Sequence, residues 1–333
     1  MARSRYLPDN FTLALVATVT LASLWPASGA TAHFFERVTT VAIGLLFFLH
    51  GAKLSREAVL GGIMHWRLHL LVFGATFVMF PLLGLALKPV LTPLVTPELY
   101  TGVLFLCVLP ATVQSAIAFT SMARGNMPAA ICSASASTML GVFITPLLVN
   151  LIVVPQGAAG ASSFDAIGRI LLQLMVPFMA GHLLRPWIGG WIKRRASVLT
   201  LVDRGSILLV VYTAFSAAVI EGLWKQVPMS ALAGLLVVCA VLLALALGIT
   251  TWASRALGFD KADEITIVFC GSKKSLASGI PMAKVLFASH AVGAIVLPLM
   301  LFHQMQLMVC AVLAQRYARR QADAAVAEIK RPA

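Results

Sequence analysis

Two adjacent lysines, Lys273 and Lys274, stand in the run F-C-G-S-K-K-S-L-A-S-G-I-P-M-A-K, residues 269–284. The run is flanked by I-T-I-V and V-L-F-A and has the composition of a membrane span. A charged side chain at bilayer depth costs about 3 kcal/mol or more, so it is kept only where it meets protein, water or a ligand. Four roles suit such a pair. The lysines can snorkel to an interface, fill the place of a bound ion and hold a broken helix together, bind an anionic substrate, or carry a coupling proton. Adjacent residues on a helix point about 100° apart, so one lysine is expected to face the fourth span and the other a cavity.

A second polar break lies in the first half of the chain. L-P-A-T-V-Q-S-A-I-A-F-T-S-M-A carries Pro110, Thr112, Gln114 and Ser115 inside an apolar run, as the later stretch carries Gly271, Ser272, Lys273, Lys274 and Ser275. Ser115 precedes Met122-Ala123 by seven residues, and Ser275 precedes Met282-Ala283 by seven. An unwound helix frees N–H and C=O groups that lipid cannot pair, so each break must face a cavity or another protein segment. Freed carbonyls can coordinate cations, and half-helix N-termini favour anions.

The elements that position these breaks follow from composition. Of 333 residues, 60% are hydrophobic and 11% charged, against about 25% charged in a soluble domain. The class is an all-α polytopic membrane protein, because the apolar segments are continuous rather than alternating as in a β-barrel. Candidate spans fall at 11–30, 38–54, 68–91, 100–122, 127–153, 167–186, 205–223, 229–252, 264–287 and 291–315. Ten spans place both termini on one side. Of the 25 Lys and Arg residues, eighteen fall at one set of span ends and loops. Five fall at the other, namely Arg37, Lys88, Arg169, Lys225 and Lys284, and the remaining two are the lysine pair. The positive-inside rule then makes both termini cytoplasmic, and the expected location is the cell (inner) membrane. The net charge of +13 is absorbed by this loop bias and implies a lipid bilayer, with no nucleic-acid partner.

Two fives of opposite orientation make an inverted repeat, and the interrupted spans in corresponding positions point to a binding site. The division is 1–10 as N-terminus, 11–155 as first repeat, 164–316 as second and 317–333 as a helical cytoplasmic tail. The five cysteines, Cys107, Cys132, Cys239, Cys270 and Cys310, show no metal-ligand spacing and are expected as small buried hydrophobes. No H-E-x-x-H, buried acid or nucleophile–base set supports an enzyme. A channel or receptor without coupled transport shares the hydropathy but leaves the matched breaks unexplained.

At H-G-A-K-L-S with H-W-R-L-H-L, L-P-A-T-V-Q-S-A-I-A-F-T-S-M-A-R-G-N, F-I-T-P-L-L and C-G-S-K-K-S-L-A-S-G-I-P-M-A, the chain resembles the bile acid:sodium symporter superfamily. It is closer to the bile-acid-symporter-like branch of sodium-dependent transporters. The resemblance implies a secondary active carrier of a small organic anion. A panel of helices at 11–54 and 167–223 would move against a core at 68–153 and 229–315, with the fourth and ninth helices crossed. It implies a sodium ligand at Ser115, of a Ser-Asn pair whose second member is Ala116 here, and sodium or polar support at Asn126 in the matched motif, at hydroxyls of the fifth span (Ser133, Ser135, Ser137, Thr138) and at Ser272. A second departure weighs further against sodium. Aligned on Leu276, Val268 stands where the family has its glutamate, and Lys273 stands at the asparagine. All twelve acids lie in loops, tails or span ends. No cofactor is implied, and the coupling ion stays open between Na⁺ and H⁺.

His303, Gln304 and Gln306 are expected to pack at or hydrogen-bond the crossover. His50 is expected at the cytoplasmic end of the second span, as an interfacial residue.

Overall fold

A computed structural model describes residues 10–53, 65–153, 163–287 and 292–329. Residues 1–9, 54–64, 154–162, 288–291 and 330–333 lie outside this description. With them go most of the expected N-terminal segment and most of the loop after the fifth span. The described secondary structure is helical, without a strand among the described residues. Among the described residues, six helices are long and apolar enough to cross a membrane.

In chain order the helices are α1 (Asn10–Leu24), α2 (Gly29–Lys53) and α3 (Trp66–Ala86), the last with a π-helical turn at Ala75–Met79. Then come α4 (Pro97–Val108), α5 (Gln114–Met122) and α6 (Met127–Val153). α7 (Ser163–Arg194), α8 (Ala196–Ile220) and α9 (Met229–Ala256) follow. The chain ends in α10 (Lys261–Gly271), α11 (Leu276–Leu286) and α12 (Val292–Ile329).

The expected fourth and ninth spans are therefore each two half-helices, α4–α5 and α10–α11. Several expected boundaries move. The first span, read as 11–30, ends at Leu24, because Pro26 lies in a non-helical link before Gly29 opens α2 at a φ of 57°. The seventh, read from 205, begins at Ala196, since Asp203 and Arg204 sit inside the helix instead of ending it. The tenth runs on without a break at 316, so the tail's described part is a continuation of α12.

Local chemistry sets the half-helix ends. Pro110 follows α4 and has no amide hydrogen to continue its ladder. Thr96, Asn126, Asp260 and Ser275 each cap a following helix, accepting from Leu99 N, Ala129 N, Asp263 N and Ser278 N.

Packing sorts the helices into two groups. α2 lies along α7, and α8 packs on α1 and α2. The α2–α7 crossing is so close that a Cβ on Gly51 would stand 1.9 Å from Phe178 O, and one on Gly181 1.9 Å from Phe48 O. The second group holds α3–α6 and α9–α12, with α4 against α12 and α10 against α3, α5, α6 and α9. Its interior is filled by Phe80, Phe105, Phe269 and Phe302. Large apolar side chains such as Leu70, Val78, Leu82 and Trp187 stand on the outside, as a lipid-facing surface requires.

Candidate functional site

The two breaks meet. Ser275 N donates to Pro110 O at 3.0 Å, joining the start of α11 to the end of α4. Every backbone group released by the first break that the structure partners can be followed. Ala111 N, which a continuous helix would aim at Cys107 O, donates instead to Ser137 Oγ at 3.0 Å. Thr145 Oγ1 donates to Val108 O at 2.9 Å. The carbonyls of Cys107 and Leu109 remain, and both accept from one side chain, the ammonium of Lys274, at 2.8 and 2.7 Å.

The third acceptor of that ammonium is Thr76 O, at 2.8 Å. It is free because of the π-helical turn in α3. There Phe80 N donates to Ala75 O, five residues back, in place of Thr76 O. The Phe80 ring then lies 4.2 Å from the ammonium. Lys274 has 0% exposure. All three ammonium donors are satisfied, and an aromatic face completes the shell. The backbone of Lys274 is held as firmly. Gln306 of α12 accepts from Lys274 N and donates to Lys274 O, each at 2.9 Å, and His303 Nδ1 lies 2.8 Å from Gln306 Nε2.

Lys273 has a different environment. It too has 0% exposure, but its ammonium makes no hydrogen bond among the described residues. It lies 4.4 Å from the centre of the Phe119 ring and 5.4 Å from that of Phe269. Both lysines are fully buried and neither is among the residues lining the cavity between the helix groups, where one of them was expected.

The cavity is elsewhere. A space of about 510 Å³ lies between the two helix groups. The starts of both half-helices line it: Thr112, Val113, Gln114 and Ser115 at α5, and Ser275, Leu276, Ala277 and Ser278 at α11. Two helix N-termini therefore face one space, an arrangement that favours an anion. Ser135 and Thr138 of α6 and His303 of α12 complete that wall.

The opposite wall holds Phe11, His50, Lys53, Phe178, Asp203 and Arg204 among others. Lys53 forms an ion pair with Asp203, and Arg204 stacks over Phe11 at 5.5 Å. Two full positive charges and two histidines thus meet a single carboxylate. At the other end of the group boundary, Lys284 of α11 reaches Glu36 of α2 at 3.4 Å.

The remaining expected site residues separate. Gln114, Ser115, Ser272, Lys273 and Lys274 do not gather into one polar cluster. Gln114 and Ser115 face the cavity, while the Ser272 hydroxyl turns back to Val268 O at 2.6 Å. Ser133 pairs with His69 Nδ1 at 2.7 Å, and Ser137 is taken by Ala111 N. Gly271 lets α10 approach α3, where its Cβ would lie 3.2 Å from Ala75 Cβ. Asn126 lies at a helix start, where its side chain caps α6 and donates to Asp263 Oδ1 at 2.8 Å. Its geometry is that of a cap joining α6 to α10, and the structure does not bring it to the break. Thr76, Asp203 and Arg204 were not singled out in the sequence. The marker for the first is Pro81, five residues on and without an amide hydrogen, and the other two fall outside a seventh span read from 205.

Comparison with known proteins extends these observations. Residues 9–319 match the family model described as the SBF-like CPA transporter family. A Pseudomonas aeruginosa protein named Uncharacterized protein PA2026 is 70% identical over 332 residues, covering 100% of this chain and 99% of its own. The Escherichia coli K12 protein provisionally named the symporter YfeH is 58% identical over 94% of this chain and 93% of its own. Rat sodium/bile acid cotransporter 7 is 28% identical over 93% and 92%.

Proposed function

The chain belongs to the SBF-like CPA transporter family, and from that premise we propose that it is a secondary active carrier of a small organic anion. The observation that carries the proposal is the cavity of about 510 Å³, into which two half-helix N-termini face from one side and Arg204 and Lys53 from the other. Backbone dipoles and a surplus of positive charge favour a carboxylate or similar group at one end of a substrate. Leu276, Met139, Phe178 and Leu307 supply apolar walls for the rest of it. The names of the relatives, a symporter and a sodium/bile acid cotransporter, agree in class with such a cargo.

The proposed architecture is the ten-span inverted repeat with both termini cytoplasmic, in the inner membrane. α1, α2, α7 and α8 act as the panel, and the remaining helices as the core. Lys53 and Arg204 belong to the basic, cytoplasmic set of span ends, so the cavity is read as open to the cytoplasm. The Glu36–Lys284 pair is read as part of the closed outer side. Alternating access then consists of panel and core rocking about the crossover, opening one end as the other closes.

Sodium fits this crossover poorly. The carbonyls of Thr76, Cys107 and Leu109, which helix interruption offers to a cation, all point to the Lys274 ammonium. Two cations cannot share that shell in a low-dielectric interior. Lys274 is therefore proposed as a covalently attached replacement for the ion that relatives are named for. Transport would then be coupled to a proton instead of sodium.

The test is uptake of radiolabelled organic anions, including bile acids, into proteoliposomes of the purified protein. Saturable uptake that Arg204→Gln weakens supports the carrier. Conductance that is linear in concentration, with no saturation and no counterflow, would favour a channel and refute it.

A further inference from the structure

Away from the cavity, α9 and α12 leave a groove of about 960 Å³ on their outer side. Its two walls repeat one pattern. Leu247, Gly248, Thr251, Trp252 and Arg255 line it from α9, and Met308, Val309, Val312, Leu313 and Arg316 from α12. Each set has the i, i+1, i+4, i+5, i+8 spacing of a single helix stripe. The residue offset between the walls is 61 throughout, and Cys239 Sγ meets Pro298 O with nearly the same offset. The two helices therefore run side by side in the same direction. About 12 Å along each stripe stands an arginine, both at the same end of the groove, with Ala256 beyond Arg255.

At that end charge is in surplus. Arg255 binds Glu264 through two bonds of 3.1 Å, and Lys261 Nζ and Tyr317 OH reach the same carboxylate at 2.8 and 3.1 Å. One acid thus serves Arg255 and Lys261, while Arg316 stands exposed with no acidic partner among the described residues. Trp252, 72% exposed, flanks the arginines where an indole suits a membrane interface. The apolar side chains Met308, Val309 and Val312 also face outward.

We propose that this groove holds an anionic phospholipid, its phosphate on Arg316 and Arg255 and an acyl chain along the apolar stripes. A soluble anion would find the two arginines but leave the apolar stripe uncovered. A zwitterionic lipid would cover the stripe but bring its own cation to a site already positive. Basic pockets between helices at the membrane surface are a recurring form of headgroup recognition. A second copy of the chain would have to cover the basic end with a complementary acidic patch, and anionic lipid meets that requirement directly.

The experiment uses the full chain purified in detergent and measures lipid retention by native mass spectrometry, together with the unfolding midpoint. Phosphatidylglycerol, phosphatidylcholine and inorganic phosphate are titrated in parallel. The expected result is retention and a raised midpoint with phosphatidylglycerol, weaker with phosphatidylcholine and absent with phosphate. Arg316→Gln should weaken the phosphatidylglycerol effect about tenfold or more, the loss of a charged hydrogen bond. Gly248→Leu keeps the charges and fills the groove, since nothing lies within 4 Å of a Cβ there. It should fold normally and lose the lipid. Equal effects of the two lipids, an undiminished effect in both variants, or a phosphate effect matching that of phosphatidylglycerol would overturn the proposal. So would a protein dimer that Gly248→Leu dissociates irrespective of lipid.

Discussion

Replacing each lysine of the pair by methionine should have opposite consequences, although the two are neighbours and equally buried. Lys274→Met removes the one donor shared by Thr76 O, Cys107 O and Leu109 O. A buried acceptor left without a donor costs about 1–3 kcal/mol, so the three together cost about 3–9 kcal/mol. Methionine spares the desolvation of an ammonium, an offset of several kcal/mol. That offset selects the lower part of the range, about 3 kcal/mol of net destabilisation. Lys273→Met breaks no hydrogen bond. It gives up contacts with the Phe119 and Phe269 rings worth about 0.5–2 kcal/mol each, and relieves an ammonium with no hydrogen-bond acceptor of a desolvation cost at least as large. Its expected effect is neutral to stabilising.

The assay is the unfolding midpoint of each purified variant in the same detergent, at equal ionic strength in sodium and in potassium. Lys274→Met should fall well below the unmodified protein, while Lys273→Met should match or exceed it. The unmodified protein should not distinguish sodium from potassium, whereas sodium at 100 times a real Kd would add about 2.7 kcal/mol. Equal losses in the two variants, or a sodium-specific gain in the unmodified protein, would refute the assignment of Lys274 as the resident cation.

Three further outcomes are expected. Gly51→Ala and Gly181→Ala each force a Cβ to within 1.9 Å of a backbone oxygen and should destabilise by about 1–3 kcal/mol. Gly44→Ala, with nothing within 4 Å, should be neutral or gain up to about 1 kcal/mol, as melting of the three variants will tell. The Glu36–Lys284 pair is an exposed ion pair worth at most about 1 kcal/mol. Glu36→Lys or Lys284→Glu alone removes that attraction and adds a repulsion of similar size, about 2 kcal/mol together, and should shift the balance of open and closed outer ends by no more than about thirtyfold, measured as transport rate. The swapped double variant should return that rate to its original value. Reporter tags at both termini should read as cytoplasmic and a tag in the 154–164 loop as external. A cytoplasmic reading for that loop would remove the ten-span topology.

The places where the chain breaks were legible, because breaking is a local property. Pro110 cannot continue α4, and Ser275 is a capping residue with a free carbonyl-side helix to cap. The direction of each lysine was not legible. The rule that neighbours point about 100° apart holds on a helix, and Lys273 and Lys274 lie in the non-helical stretch between Gly271 and Leu276. There, hydrogen-bond partners from other helices decide the direction. Those partners are mostly backbone carbonyls, which any residue type carries. Thr76 contributes its carbonyl because a π turn moves Phe80 N to Ala75 O and Pro81, next in line, has no amide hydrogen to offer it; the proline is visible in the residue types, the change of register is not. Hydroxyls misled in the converse way. Ser133, Ser137 and Asn126 carry ligand-like oxygens, yet each is occupied by a side chain or an amide of the fold itself. The exchange nevertheless has a readable signature when both halves are taken together. The break after α4 leaves the carbonyls of Cys107 and Leu109, and the π turn leaves that of Thr76, to one side-chain donor, the Lys274 ammonium. Where no acid accompanies the breaks to help bind a free ion, a lysine within the same stretch is the residue able to supply the charge from inside the chain.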